Sequence, residues 1–498
     1  MNTDTVQPVT PAIGLRLLSL EPRIRVLHLS WLAFFISFLV WFNHAPLMSA
    51  IRDTFSLSKA EVAGLLSLNV AFAIPARVLV GMWVDKLGPR LMYALLLVVS
   101  GFVCVAFAFS TNFAMLAITR FLLGFVGAGF VVGIRMIGEW FPARETGYAQ
   151  GIYAGLGNFG SAVAGAVLPT LAAYFGGPDG WRYACATTGV IAIVYAVIYY
   201  LSVSDTPKGA TYFQPKKTGA MEVTNRRDFF LYCVMQAPLW LTLGLMAWRL
   251  GPAGLKLVPE ATTWIAYGVL VLIYVLQLAD TWRINRDVFA KPVDALFRYR
   301  FSQVAVLDFA YMITFGSELA VVSILPLSFK DTFGLSLTTA GFLGASFGLT
   351  TFFARPAGGW LSDRYGRRNI IVVCLAGTAL GYFGMSYMGT ATGIAAAVAI
   401  TMLCSLFVNA GNGAVYAMLP LIKRRLTGQI AGMVGAFGNV GGVVFLTVYA
   451  FVDIHMFFLV AAAAAACGFL LTLLFIREPR GHIAETMPDG SIAMIEVT

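Results

Sequence analysis

The sequence predicts an all-α protein whose helices cross a membrane many times. Of its 498 residues, 59% are hydrophobic and only 12% are charged, whereas soluble domains carry about 25% charged residues. The apolar residues form runs long enough to cross the roughly 30 Å hydrocarbon core of a bilayer, which takes about 20 helical residues. A second observation is that the same motifs occur twice along the chain. This composition excludes a water-soluble enzyme, a disordered protein and a secreted disulfide scaffold.

The apolar runs fall into two groups of six, with two further runs between the groups. The first group lies at roughly 29–51, 61–83, 91–109, 113–138, 147–171 and 182–203, and the second at 302–327, 337–361, 370–388, 393–420, 428–452 and 454–476. The inserted pair lies at 229–250 and 262–282. Its first member carries Gln236, Pro238 and Arg249, so an amphipathic helix on the membrane surface is the alternative for this run.

These runs predict how the chain is divided. We expect an N-terminal six-helix half in 1–204 and a C-terminal six-helix half in 301–480. Between them, 205–300 would form a cytoplasmic linker that contains the inserted helix pair, and 481–498 would form a cytoplasmic tail.

Basic residues are distributed unevenly between the two predicted sides. With the N-terminus placed inside, 24 of the 34 Lys and Arg residues are cytoplasmic and 5 are external. Such an excess is typical of cytoplasmic loops. It predicts a multi-pass protein of the cytoplasmic membrane with both termini in the cytoplasm, and it explains the net charge of +10 without a nucleic-acid partner. The other five lie within spans: Arg77, Arg120, Arg135, Arg249 and Arg355.

Several kinds of site are not expected. The six cysteines lie in apolar stretches and have no metal-ligand spacing, so they are interpreted as small buried hydrophobic residues. The four histidines do not cluster, so we expect no metal site. No Walker sequence occurs, so ATP is not expected to drive the protein. No cleavable signal peptide is predicted, and neither is a cofactor or an enzyme activity.

Two motifs occur in both halves. GMWVDKLGPR at 81–90 matches GWLSDRYGRR at 359–368, and Arg77 and Arg355 are related by the same sequence offset as these two motifs. TGYAQGIYAGLGNFG at 146–160 matches TGQIAGMVGAFGNVG at 427–441, at nearly the same offset. The sequence therefore predicts two similar halves in the same orientation, related by an axis along the membrane normal.

These motifs resemble the major facilitator superfamily. The repeated loop, and RFLLGFVGAG at 120–129, resemble conserved segments of that superfamily. The paired GNxG tracts resemble the signature of its nitrate/nitrite porter family, with further matches in WFNHAPL, YMITFGSEL and GNGAVYAMLP. The resemblance covers the chain except 205–300 and the termini. It implies a major facilitator fold with an inserted helix pair, and a secondary active transporter of nitrate and nitrite that works by alternating access.

Arg77 and Arg355 are the strongest candidates for an anion site. Each lies 8 residues before the Asp of its loop motif, which places it ~12 Å into the membrane and close to the midplane. An arginine at this depth costs at least ~2.5 kcal/mol, so we expect it to face protein or water and to have a partner. The planar guanidinium suits a planar oxyanion. The alternative is a structural ion pair with Asp308 or Glu318.

Three asparagines are further candidates for substrate binding. Asn158 and Asn439 belong to the two glycine tracts and would present their amides near the pore. The resemblance implies that Asn158 is the better candidate for direct contact with the anion. It also includes Asn412, in GNGAVYAMLP of the tenth core span.

The seventh core span carries polar and aromatic candidates on one face. Asp308, Tyr311, Phe315 and Glu318 are spaced so that they share one helical stripe. The resemblance implies that Tyr311 donates its hydroxyl to the anion, and that Phe315 and Phe130 form two walls of the cavity. Ordinary core packing is the alternative for both phenylalanines.

Glu318 is predicted to couple transport to protons. An ionisable carboxyl inside a membrane is a candidate proton relay by default. The alternative is a salt bridge with Arg77, Arg355 or Arg120.

The repeated motifs also predict residues that move or gate. Small residues let membrane helices approach closely, and the smooth faces would slide as the halves rock; these residues are Gly151, Gly157, Gly160, Gly432, Gly438 and Gly441. Gate elements at the cytoplasmic face would be Asp85, Arg90, Asp363, Arg364 and Arg368, with charge anchoring and helix capping as the alternative. Arg135 and Glu139, at i and i+4, are predicted to form a structural pair. Arg120 is expected to bond backbone groups of neighbouring helices.

Three other functions stay open at this point. The first is nitrate/nitrite exchange without proton coupling. The second is transport of another small anion or an organic acid. The third is a membrane sensor that binds an anion without moving it. We expect uptake of nitrate with protons as the co-substrate and the lipid bilayer as the surroundings.

Overall fold

The computed structural model describes residues 17–141, 143–208, 220–290, 293, 298–423, 426–478, 482–486 and 492–496. Within these ranges, 14 helical segments are long and apolar enough to cross a membrane. Because lipid offers no hydrogen bonds, each segment satisfies its backbone groups within its own helix.

The first six spans form the N-terminal bundle. In chain order the helices are α1 (Pro22–Phe42), the short α2 (Met48–Phe55), α3 (Lys59–Ala71), α4 (Ala73–Leu87), α5 (Pro89–Ala108), α6 (Phe113–Leu123), α7 (Gly129–Trp140), α8 (Ala143–Phe175) and α9 (Gly180–Ser202). α3 with α4 makes one span, as does α6 with α7, which a 3₁₀ turn at Gly124–Ala128 joins. α8 packs along α1, and α9 packs along α5.

The inserted pair consists of two long helices. They are α10 (Arg226–Leu250) and α11 (Glu260–Asn285), and a short α12 (Asp287–Ala290) follows. α10 packs against α3, α13 (Phe301–Phe333) and α19 (Thr427–Phe451), whereas α11 packs mainly on α10 and exposes most of its surface. Both are long and apolar enough to cross the membrane.

The last six spans form the C-terminal bundle, which begins with α13. The remaining helices are α14 (Leu337–Gly344), α15 (Ser346–Leu349), α16 (Thr351–Tyr365), α17 (Arg367–Met385), α18 (Ile394–Met418), α19 and α20 (Ile454–Phe475). α14, α15 and α16 make one span. α13 packs along α19, as α1 packs along α8 in the other bundle. In the tail, β1 (His482–Thr486) and β2 (Ile492–Glu496) form an antiparallel hairpin.

The repeated loop motif turns the chain between two helices in each bundle. Gly88, between α4 and α5, has a φ of 80°, and Gly366, between α16 and α17, has a φ of 95°. Residues other than glycine rarely adopt this backbone conformation, which explains the glycine in both copies of the motif. We call this end of the molecule the motif end, and the opposite end, which carries α2, the α2 end.

Candidate anion-binding site

Arg77 connects the two bundles at the centre of the molecule. Its side chain, on α4, is only 8% exposed. Nη1 donates to the carbonyl of Gly435 on α19 at 2.8 Å, and Nε donates to the carbonyl of Gly127 at 3.3 Å. With the oxygen of its amide turned toward the guanidinium, Asn439 also accepts from Nε and Nη1 at 3.1 Å. The N-terminal bundle thus reaches into the glycine tract of the C-terminal bundle.

Arg355 lies at the equivalent position of α16 but has a different set of partners. Nη2 donates to the Tyr311 hydroxyl at 2.6 Å. Nη1 is buried and has no partner among the described residues. No described carboxylate forms an ion pair with Arg77 or Arg355, so the structural ion-pair alternative finds no support in the described chain. Two buried cations therefore lie near each other without a direct ion pair to a described carboxylate, although Glu318 is close enough to interact electrostatically with Arg355.

Aromatic rings surround both guanidinium groups. The Phe315 centroid lies 6.0 Å from Cζ of Arg77 and 5.4 Å from Cζ of Arg355. Phe130, from the other bundle, lies 5.5 Å from Cζ of Arg77. Tyr311 stacks on Phe315 with their centroids 5.0 Å apart. The structure thus brings both predicted wall residues to the arginines, where ring faces attract the positive charge.

The three candidate asparagines occupy different surroundings. Asn439 contacts Arg77, as described above. Asn158 is 2% exposed, and its side-chain amide forms no hydrogen bond with a described residue. Asn412 donates from Nδ2 to Oε2 of Glu318 at 2.6 Å. Asn412 is thus a neighbour of the candidate proton carrier rather than of an arginine.

Glu318 is buried and forms no described ion pair with an arginine. It is 4% exposed, and Asn412 is its closest hydrogen-bond partner. Arg120 is occupied elsewhere by neutral groups: it donates to the amide oxygens of Asn69 and Asn43 and to the backbone carbonyl of Trp41. The expectation that Arg120 bonds backbone groups of neighbouring helices is confirmed for α1, whereas its contact with α3 is to the side-chain amide of Asn69. Glu318 forms no direct ion pair with a described arginine, and its interaction with Arg355 is electrostatic at a longer distance.

The glycine tracts bring each tract helix against the first helix of its bundle. A Cβ on Gly160 would lie 2.2 Å from the Phe35 carbonyl oxygen, and one on Gly441 would lie 2.1 Å from the Met312 carbonyl oxygen. A Cβ on Gly157 would lie 2.0 Å from Cδ1 of Phe34, and one on Gly438 would lie 2.6 Å from Cδ1 of Phe315. The prediction of close packing is wrong for two members, because no described atom would lie within 4 Å of a Cβ on Gly151 or Gly432.

At the motif end, two predicted gate residues are held within their own bundles. The backbone N–H of Arg90 donates to Oδ1 of Asp205 at 2.8 Å, and its Nε donates to the Tyr200 carbonyl. In the other bundle, the backbone N–H of Arg368 donates to Oε2 of Glu478 at 2.8 Å, and its Nη2 donates to the Leu473 carbonyl. Each acidic residue therefore caps the helix that follows the loop motif, although neither Asp205 nor Glu478 is among the predicted gate or capping residues.

The other predicted gate residues contribute less to the site. Asp363 pairs with Arg367 at 3.0 Å, and Arg364 lies over the ring of Trp360. The Asp85 side chain lies outside the described part of the chain. The predicted pair of Arg135 and Glu139 is confirmed, at 2.9 Å.

A repeated segment at the α2 end is absent from the sequence interpretation. RDTFSLS at 52–58 and KDTFGLS at 330–336 match at the same sequence offset that relates Arg77 to Arg355. Arg52 Nη1 contacts Asp331 Oδ2 at 2.8 Å, and Lys330 Nζ lies 3.8 Å from Asp53 Oδ2. The two copies thus form reciprocal ion pairs that join the bundles, and a search for further repeats at that offset would have found them.

Tyr416 on α18 also belongs to the site, although the sequence did not single it out. Its ring lies 5.0 Å from that of Tyr311 and 5.8 Å from that of Phe130. A Cβ on Gly435 would lie 3.1 Å from both the Tyr416 hydroxyl and Nη1 of Arg77. Tyr416 therefore lines the same site as the arginines, and glycine at 435 leaves room for both polar groups.

Comparison with known proteins places this architecture in context. The family model described as Major Facilitator Superfamily matches residues 30–284 and 307–490. The chain is 42% identical to the Nitrate/nitrite transporter NrtP of Picosynechococcus sp., over 94% of this chain and 95% of that protein. It is 40% identical to the protein of the same name from Nostoc punctiforme, over 97% of this chain and 99% of that protein.

Solved structures with a similar fold are more distant in sequence. A partially occluded inward open structure of the xylose transporter XylE from E. coli gives a TM-score of 0.61 at 15% identity, over 92% of this chain and 99% of that chain. An inward-facing, occupied bacterial homolog of the human lysosomal transporter Spinster gives 0.60 at 16% identity, over 92% and 97%. At these identities the likeness concerns the fold alone.

Proposed function

Since the chain belongs to the major facilitator superfamily and, within it, to the nitrate/nitrite porter family, we propose that it carries nitrate, and nitrite as a second substrate, across the cytoplasmic membrane by alternating access. The relatives that it matches over nearly their whole length are named transporters, so the chain is a transporter and not an enzyme. The substrates of those relatives support nitrate as the anion.

The observation that carries the proposal is the pair of buried arginines that share Phe315. Neither forms a direct ion pair with a described carboxylate, and Nη1 of Arg355 is a buried donor without a partner in the described chain. Like charges near one another in a medium of low dielectric repel strongly. A small planar oxyanion neutralises part of this charge and accepts the free N–H of Arg355, and Asn158 offers its unpaired amide on the other bundle. The bound anion therefore allows the bundles to close around it.

The distribution of basic residues supports the orientation that we propose. It puts the motif end and both termini in the cytoplasm, because cytoplasmic loops of membrane proteins collect Lys and Arg. The α2 end is then external, where Arg52 pairs with Asp331 and Lys330 with Asp53. In this orientation the structure corresponds to a state closed on the outside, and rocking of the bundles about the arginine level opens it.

Proton coupling is part of the proposal, with Glu318 as the carrier. With Glu318 ionised, the two arginines and this carboxylate give the empty site one net positive charge. Nitrate alone would cancel that charge, whereas nitrate bound together with a proton on Glu318 leaves the net charge of the site unchanged. Glu318 is a buried carboxyl whose closest partner, Asn412, is neutral and suits an ionised acceptor. A proton that binds Glu318 with the anion, and leaves with it, couples uptake to the proton gradient.

Uptake of labelled nitrate into sealed proteoliposomes tests the function. We expect saturable uptake that unlabelled nitrate and nitrite displace, and that increases when the outer solution is more acidic than the lumen. If neither anion displaces a substrate that the protein does transport, nitrate is the wrong choice. If uptake ignores the pH gradient but requires nitrite inside, the exchange alternative holds.

A further inference from the structure

The inserted pair is fastened to the C-terminal bundle along its length. Near the motif end, Asp228 of α10 accepts the backbone N–H of Phe301 at 3.1 Å, and the rings of Tyr232 and Phe301 lie 5.1 Å apart. Near the α2 end, the ring centroids of Trp248 and Phe451 of α19 lie 6.5 Å apart. α10 thus contacts the C-terminal bundle at both of its ends, through α13 near the motif end and through α19 near the α2 end.

The inserted pair also touches the N-terminal bundle, near the α2 end. Nη1 of Arg249 donates to the Ser67 hydroxyl of α3 at 3.0 Å, and it lies 3.5 Å from the Thr447 hydroxyl of α19. Arg249 is 6% exposed and forms no ion pair with a described carboxylate. It therefore lies across the seam where α3 and α19 pack, with one neutral partner on each bundle.

A second contact lies close by, in the connection between α10 and α11. The Leu255 side chain packs on Gly64 of α3 so closely that a Cβ there would lie 2.5 Å from its Cδ1. Glycine at this position thus makes room for the inserted pair.

The corresponding seam on the other side of the molecule lacks this adaptation. At the sequence offset that relates Arg77 to Arg355, Gly64 corresponds to Phe342 and Ser67 to Ala345. Phe342 is 58% exposed, and alanine offers no acceptor for an arginine side chain. The two repeats therefore differ at the positions where one of them receives the inserted pair.

We propose that the inserted pair is a strap that holds the α2 end of the transporter closed. In this proposal the pair is part of the C-terminal bundle, and it is bonded to the N-terminal bundle through Arg249 and packed against it through Leu255. When the α2 end opens, α3 and α19 separate there, so Arg249 loses Ser67 and Leu255 leaves Gly64. This role rests on the alternating access proposed above, but it does not depend on which anion is carried.

Distances between the bundles at the α2 end test the strap. Ala60 at the start of α3 and Ala391 between α17 and α18 are exposed, so both can be replaced by cysteine and spin-labelled in the full-length protein. Cys233 and Cys467, which are not fully buried, are replaced by alanine first. The distance distribution is measured without substrate by pulsed electron paramagnetic resonance.

We expect R249M to shift the ratio of open to closed α2 ends at least about fivefold toward open, because a hydrogen bond from a charged donor is lost. S67A removes only the acceptor and should shift the ratio in the same direction. It is the gentler change if R249M folds poorly.

The matched control K256Q removes a cation from the connection between α10 and α11 and should leave the distance distribution unchanged. Unchanged distributions in both R249M and S67A overturn the strap. A carrier of some other anion would still give the expected shift, so the two proposals fail separately.

Discussion

Arg77 and Arg355 occupy equivalent positions of the two repeats but make unequal contacts. Arg77 reaches across to Asn439 in the opposite bundle, whereas Arg355 is bonded to Tyr311 of its own bundle and leaves Nη1 free of described partners. The counterpart of Asn439 in the other tract is Asn158, whose amide is also unpaired within the described chain. One buried donor, Nη1 of Arg355, thus has no partner among the described residues, and in the proposed mechanism the anion bonds it together with the Asn158 amide of the opposite bundle.

Replacing either arginine by lysine tests whether the planar guanidinium group is needed to bind the anion. We expect R355K and R77K each to raise the half-saturation concentration for nitrate by roughly 10–100-fold, because a charge-assisted hydrogen bond contributes ~1.5–3 kcal/mol and each 1.4 kcal/mol is tenfold. Initial uptake rates over a range of nitrate concentrations give this number. R135K, which can keep its pair with Glu139, is the control. Near-normal affinity in both site variants would contradict two-point recognition.

Glu318 is the residue to test for proton coupling. We expect E318Q to abolish the pH dependence of nitrate uptake, because glutamine keeps the shape but binds no proton. Asp308 supplies a matched control on the same helix: it is fully buried, and neither of its oxygens has a described partner. D308N should keep the pH dependence of the unmodified protein. An unaltered pH profile in E318Q would remove Glu318 from the mechanism.

The two glycine tracts make a prediction about stability. We expect G160A and G441A to lower stability by about 1–3 kcal/mol or more, because the new methyl group would meet a backbone carbonyl that cannot turn away. G151A and G432A add the same methyl where no described atom is close, and they should be tolerated. Thermal unfolding of the purified proteins in detergent gives the comparison. Equal losses in all four would show that the helix contacts are not the cause.

The reciprocal ion pairs at the α2 end predict a charge-swap rescue. Asp331 raises the pKa of the Arg52 guanidinium, so this pair stays ionised at physiological pH. We expect R52D to favour the open α2 end by less than about fivefold, because exposed ion pairs contribute ~1 kcal/mol or less. Adding D331R should restore the closed fraction. The spin-label pair at Ala60 and Ala391 reports both, and high salt should weaken the effect of R52D. A double variant as open as R52D would argue against a direct pair.

The spans and the two buried arginines could be predicted because a single physical constraint determines each of them. Lipid requires long apolar helices, so the spans followed from hydropathy alone. A buried arginine needs a partner or water, so Arg77 and Arg355 stood out before any contact was known.

The partners of these residues could not be derived in the same way. The amide of Asn412 could donate equally well to a bound anion or to a carboxylate. Only the packing of α18 against α13 determines that it donates to Glu318. Likewise, Asp205 and Glu478 follow the sixth and twelfth core spans with no local sign that each caps a distant helix. Contacts between helix ends that are remote in the chain depend on the tertiary arrangement, and one sequence does not reveal that arrangement.

Each copy of the segment at 52–58 and 330–336 brings one cation and one anion to the same contact. A surface of this kind is self-complementary, because a two-fold rotation places every cation opposite an anion. Two identical copies of one half would therefore have made the same two ion pairs that Arg52 and Lys330 make now. The outer contact between the halves retains the form of a symmetric homodimer interface, as expected if a six-helix ancestor paired with itself before its gene was duplicated and fused.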